Sequence, residues 1–223
     1  MTLRKFSYLL ILAGILIMLY PTANEWYNDR QQEKLLETAE LSTADSTPQP
    51  DLKSRYAEVT QLLAEESVLD AQAQPQPQET EKPEPEIEVG GKVIALIEIG
   101  KIDLKLPVLE GATKANMKHA AAHMKETAPL GEIGNAAIAA HRARTTGRLF
   151  NRLNEVVVGD VITVKTSDQV FNYEVYDISV VDPSDVSVLD GNDKDKILTL
   201  ITCDPLVNPT HRLIVHAKLT KGE

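Results

Sequence analysis

"LTLITCDPLVNPTHRLIVHAKL", Leu198 to Leu219, holds the only cysteine of the 223-residue chain. Two apolar runs, ILTLITC and HRLIVHAKL, flank a segment rich in Asp, Asn and Pro, a pattern that predicts two strands joined by a turn. The turn is short enough to set Arg212, at the start of the second strand, beside Cys203 at the end of the first.

Upstream, KVIALIEIGKIDLKLPVLEG contains two β-rich runs, about 93–99 and 102–109. TKANMKHAAAHMKETA reads as a short helix and loop, and GNAAIAAH as a short apolar strand ending in His141. VITVKTSD and VFNYEVYDISVVDP are joined by a polar turn at Ser167–Asp168, a hairpin signal. TTGRLFNRLNEVVVGD and SDVSVLDGNDKDK read as loops with a helical turn each. Seven or eight short strands in about 130 residues predict a mainly β fold, a mostly antiparallel sheet closed as a barrel. With three Phe, one Trp and six Tyr, its core should be aliphatic.

The net charge of −10 is uneven. Residues 1–23 carry +2, residues 24–91 carry −11 and residues 92–223 carry −1. The acidity therefore belongs to the middle of the chain, and no basic footprint for nucleic acid is present. Arg4 and Lys5 precede an uncharged run from Phe6 to Asn24, about the length a bilayer core requires. Residues 1–24 are expected to form a single-pass anchor, N-terminus cytoplasmic and remainder extracytoplasmic, a cleaved signal peptide being the alternative. Residues 25–91 read as an acidic, Pro/Gln-rich stalk. Within it, residues 31–41 and 51–70 have helical composition, the second with Asp51 as cap and an apolar stripe of Tyr56, Val59, Leu62 and Leu63. Residues 92–223 read as the folded domain. The helix at 51–70 serves either a spacer or a partner.

In an extracytoplasmic chain a single cysteine cannot form an internal disulfide, so Cys203 is either a reactive thiol or a small buried hydrophobe. A nucleophilic thiolate needs a cationic or imidazole neighbour. Spacing leaves His141 and His123 both open for that part.

TLITC (Thr199–Cys203), the arginine opening the next strand (Arg212) and GNAAIAAHR upstream together resemble the sortase family over about residues 92–220. The resemblance implies an eight-stranded β-barrel cysteine transpeptidase of Gram-positive bacteria. Such enzymes cleave an LPXTG-like sorting signal between Thr and Gly and transfer the surface protein to a peptidoglycan amine. It makes Cys203 the nucleophile, His141 the general acid/base and Arg212 the oxyanion partner, with Thr202 orienting substrate or oxyanion; His123 is a substrate-binding candidate that either lines the groove or packs structurally. It implies no cofactor. The chain departs from the family pattern at Ala140, where Gly is usual, and in TAPLGE, which carries an inserted leucine. Neither Asp-Pro pair, at 182 and 204, is followed by the aromatic of the pilin-polymerising lid motif, which leaves the housekeeping class or the class of spore-forming bacilli. The acidic loop holding Asp182, Asp185, Asp190, Asp193 and Asp195 reads as solvated, with a calcium site as the alternative. An extracytoplasmic cysteine hydrolase and a non-catalytic membrane-tethered binding module remain competing readings.

Overall fold

The computed structural model describes Arg30, residues 51–72 and residues 91–220. The expected anchor (1–24), most of the expected stalk and its helix at 31–41 lie outside the described residues. Among the described residues no helix is long and apolar enough to cross a membrane.

Eight strands form one closed barrel. They are β1 (Val93–Ile99), β2 (Leu104–Glu110), β3 (Ala121–His123), β4 (Gly134–Ala139), β5 (Val161–Lys165), β6 (Val170–Val181), β7 (Lys196–Asp204) and β8 (His211–Leu219). Round the barrel the order is β1-β2-β3-β4-β7-β8-β6-β5, with β5 closing onto β1. The mainly β barrel predicted from strand spacing is thus observed. Six of its eight pairings are antiparallel, while β2–β3 and β4–β7 run parallel. Those two pairings need crossover connections, which a local reading of turns does not reveal.

Helix α1 (Leu52–Gln72) precedes the barrel, and the short helix α2 (Lys114–Met117) joins β2 to β3. The Thr113 hydroxyl caps α2 by accepting from Asn116 N. Asp51 sits at the start of α1, its Oδ1 accepting from Lys53 N at 3.4 Å.

Period-two alternation explains why β7 is buried on both faces. Leu198 and Leu200 point inward with Ile97, Leu106, Ile138, Val164 and Val215, filling an eight-stranded barrel whose interior has room for side chains only. Ile201 and Cys203 point outward into a second apolar cluster with Ala137, Ala139, Val188, Leu189 and Ile214. Tyr56, Val59 and Leu63 of α1 complete that cluster. The stripe expected on the 51–70 helix is therefore buried, and its partner is this chain's own barrel.

One buried polar chain crosses the same sheet. Thr199 Oγ1 donates to Asn135 Oδ1 at 2.7 Å and lies 2.8 Å from His216 Nδ1. A hydroxyl has one proton, so the His216 Nδ1–H is the donor to Thr199. Asn135 Nδ2 donates to the carbonyls of Val188 and Asp190, fastening the helical turn Val186–Leu189 to the barrel. Gly131, in the TAPLGE stretch, has φ +80°, and a Cβ there would lie 2.3 Å from the Phe171 ring. The inserted Leu130 thus leaves the loop's glycine in place against β6.

Burial holds the His216 pKa below its ordinary value, with Asp177 opposing. A depressed histidine contributes stability that is complete above the unfolded value of about 6.5 and lost as pH falls through the lower folded value. Melting temperature is accordingly expected to fall as pH drops below about 6.5. The fall should be shallower in His216→Gln, measured by thermal denaturation between pH 5 and 7.5.

Candidate active site

The β7–β8 ladder places Cys203 directly opposite Arg212. On the other side of β7, the parallel register pairs Ala139 with Ile201, and Ala140 N donates to Ile201 O at 3.2 Å. Two residues further along both strands, His141 comes level with Cys203. Alternation puts Ala139 and His141 on the outward face shared by Ile201 and Cys203. Arg212 shares that face with Ile214 on β8. The ladder therefore sets the arginine directly beside the thiol, while His141 follows two residues past the end of β4 on the other side of β7. Both groups are at strand ends, where the sheet opens into loops.

All three are covered. Cys203 and Arg212 are each 1% exposed and His141 is 6% exposed. Cys203 Sγ lies 3.2 Å from the Leu63 carbonyl, to which the thiol donates. The Arg212 guanidinium donates through Nη2 to the Thr60 carbonyl and through Nη1 to its neighbour His211 O at 2.9 Å. Tyr56, on the same helix, is fully buried, and burial pushes its phenol up to about 12 against the opposing pull of Arg212.

Thr202 faces away from the thiol. Its side chain is fully buried and its hydroxyl donates to Ala140 O at 2.8 Å, tying the residue before His141 to β7. The structure gives Thr202 a part in holding the strand ends together and does not bring its hydroxyl to the outward face. His123 is also placed elsewhere. Its Nδ1 faces both Glu110 carboxylate oxygens at 3.3 Å and its Nε2 donates to Ala128 O at 3.0 Å. The ring lines a cavity of about 430 Å³ with Phe171 and the β5–β6 turn. That turn is at the end of β6 remote from its pairing with Arg212. Alternation also separates the two histidines, since β3 pairs His123 with Ile138, an inward-facing residue.

Arg142, the residue after His141, completes the site. Its Nη1 lies 2.6 Å from Asp204 Oδ1 and 3.4 Å from Cys203 O, and its Nε donates to Asn151 O at 3.3 Å. It thereby clamps the loop after His141 to the end of β7. Phe150 N donates to His141 O at 3.0 Å and Asn151 Nδ2 to Ala143 O at 2.5 Å, closing the same loop. An arginine adjacent to a candidate histidine was the available signal, but its acceptors are 61 and 62 residues away in sequence.

In the acidic loop, Asp182 and Asp185 cap their own turns through Ser184 and Ser187. Those hydrogen bonds from Ser184 hold the Asp182 carboxyl below its usual range. Asp195 pairs with Lys218 at 2.8 Å. Among the described residues no group of three or more His, Cys, Asp or Glu side chains is arranged to hold a metal ion.

Truncating Arg142 to Ala leaves the partly buried Asp204 carboxylate without its ion pair. It should cost about 1–3 kcal/mol, the range for a removed charged hydrogen bond, read as a lowered urea midpoint with unchanged slope. Arg142→Lys should recover only part of the loss because one ammonium cannot reproduce the fork.

Residues 97–220 match the sortase domain family. Sortase A of Listeria monocytogenes is 33% identical over 131 residues, 59% of this chain and 58% of that protein. Sortase A of Bacillus anthracis is 34% identical over 128 residues, 57% of this chain and 60% of that protein. The match thus spans less than two thirds of the length of these relatives. Among solved structures, a sortase D5 transpeptidase of Clostridium perfringens superposes with TM-score 0.54 at 33% identity, covering 74% of this chain and 99% of that one. With the barrel, the cross-strand cysteine–arginine pair and the level histidine in place, the chain belongs to the sortase family.

Proposed function

We propose that the protein is a cysteine transpeptidase that cleaves an LPXTG-like sorting signal between Thr and Gly and transfers the acyl part to a cell-wall amine. The observation that supports this reading is the register that sets Cys203 directly opposite Arg212, with His141 two residues beyond the end of the strand on the other side of β7. The Cys203 thiolate adds to the Thr carbonyl carbon, and the developing oxyanion is met by the Arg212 guanidinium, whose planar fork stays charged throughout. The Thr–Gly C–N bond then breaks, and the leaving amine takes a proton from His141. An incoming amine attacks the thioester, gives its proton to His141 and releases the thiolate as the C–S bond breaks. In this reading residues 1–24 anchor the chain in the cytoplasmic membrane with the barrel outside. The anchor's support is the charge asymmetry and apolar length of that segment. The relatives bear sortase A, sortase D and SrtE1 names, and this reading keeps the chain with the A-like or D-like class.

The test uses the full chain in mild detergent with a quenched LPXTG peptide, with and without triglycine. Wild type should cleave, and should form the triglycine adduct only when the amine is present. Cys203→Ala should abolish turnover. Arg212→Ala should lower kcat/KM by about 10²–10³, the usual worth of one oxyanion donor. Cleavage without any amine adduct favours the hydrolase, and undiminished cleavage by Cys203→Ala ends the reading.

A further inference from the structure

We infer that helix α1 is an intramolecular plug of the catalytic groove, which must leave before a peptide can reach Cys203. The inference rests on Cys203 being the nucleophile of the proposed reaction. Two carbonyls of α1, three residues apart, occupy the two groups that chemistry requires. The Leu63 carbonyl accepts a hydrogen bond from the Cys203 thiol, Sγ to O 3.2 Å, and the Thr60 carbonyl accepts one from the Arg212 guanidinium. A substrate carbonyl must sit against the sulfur with its oxygen within reach of that guanidinium, so helix and substrate cannot both be present. The side chains agree with the backbone. Tyr56, Val59 and Leu63 fill the apolar cluster around Cys203, Ile201 and Ile214, leaving thiol and guanidinium 1% exposed.

The plug is held in register by one ion pair. Arg55 Nε lies 2.9 Å from Glu126 Oε1, and the Glu126 side chain is only 2% exposed. Arg55 also pairs with Glu58 on its own helix at 2.5 Å. The attachment is suited to reversal. Most helical stability in proteins comes from packing rather than propensity, and among the described residues three buried apolar side chains, one ion pair and two carbonyl contacts dock this helix. Residues 73–90, which link it to the barrel, have a contour of roughly 60 Å, enough for the helix to leave without the barrel moving. The occupied state explains how an exported thiol is kept from solvent until a peptide displaces the helix.

The experiment measures alkylation of Cys203 by iodoacetamide in the full chain, which reads shielding without requiring turnover. Val59→Asp/Leu63→Asp, on the buried face, should raise the alkylation rate at least tenfold, while Gln61→Lys, on the exposed face, should leave it unchanged. A synthetic peptide of residues 51–72 added to the double variant should restore protection. Hydrogen exchange of the β7 and β8 amides verifies that the barrel persists. If the double variant loses the barrel, Arg55→Ala, which removes the ion pairs to Glu126 and Glu58, should still raise the rate in the same direction. Equal alkylation of wild type and every helix variant that retains the barrel would overturn the plug. Faster alkylation without LPXTG cleavage supports the plug and counts against the substrate reading. Cleavage by wild type at the rate of the unplugged variants upholds the substrate reading and overturns the plug.

Discussion

The register of three strands, β4, β7 and β8, is the constraint on which the site depends. A slip of one residue in β7 would turn Cys203 into the barrel and bring Thr202 outward, because neighbouring residues point to opposite faces. Several independent features forbid that slip. Leu198 and Leu200 fill the interior, the Thr199 hydroxyl is committed to Asn135 and His216, and the Thr202 hydroxyl is committed to Ala140. The TLITC stretch alternates accordingly. Its threonines bind neighbouring strands and carry the polar cross-links, and the cysteine is left to face outward. The position of Cys203 therefore arises from backbone pairing more than from side-chain contacts around the sulfur.

That same outward face creates the problem α1 solves. An apolar surface built from Ala137, Ala139, Ile201, Val188 and Ile214 is costly to leave in water. Tyr56, Val59 and Leu63 cover it from within the chain. Under the proposed reading, the apolar surface that would receive a peptide is the one that receives the helix. The Arg55–Glu126 pair adds orientation to what apolar burial alone leaves unspecified.

Much of this was legible in the sequence, for identifiable reasons. The β7–β8 hairpin could be read because its turn is bounded by prolines and its flanks are apolar. The β5–β6 hairpin followed from its polar turn. The nearness of Arg212 to Cys203 followed from turn length alone. What stayed hidden depends on contacts between residues distant in sequence. The parallel pairing of β4 with β7 makes His141 level with Cys203, and no local signal distinguishes it from His123, which the structure places beside Glu110. The stripe on α1 showed an apolar face but not which surface receives it. Thr202 adjoins Cys203 in sequence, and adjacency along a strand puts its side chain on the opposite face, with its hydroxyl donated to Ala140 O.

The most direct test of the central claim is the mass of the intact protein after mixing with an LPXTG peptide in the absence of amine. The account predicts an added mass equal to the acyl fragment ending in threonine, mapped to Cys203 and lost on addition of triglycine. An adduct on another residue, or turnover in which Cys203 never carries the acyl group, would contradict it.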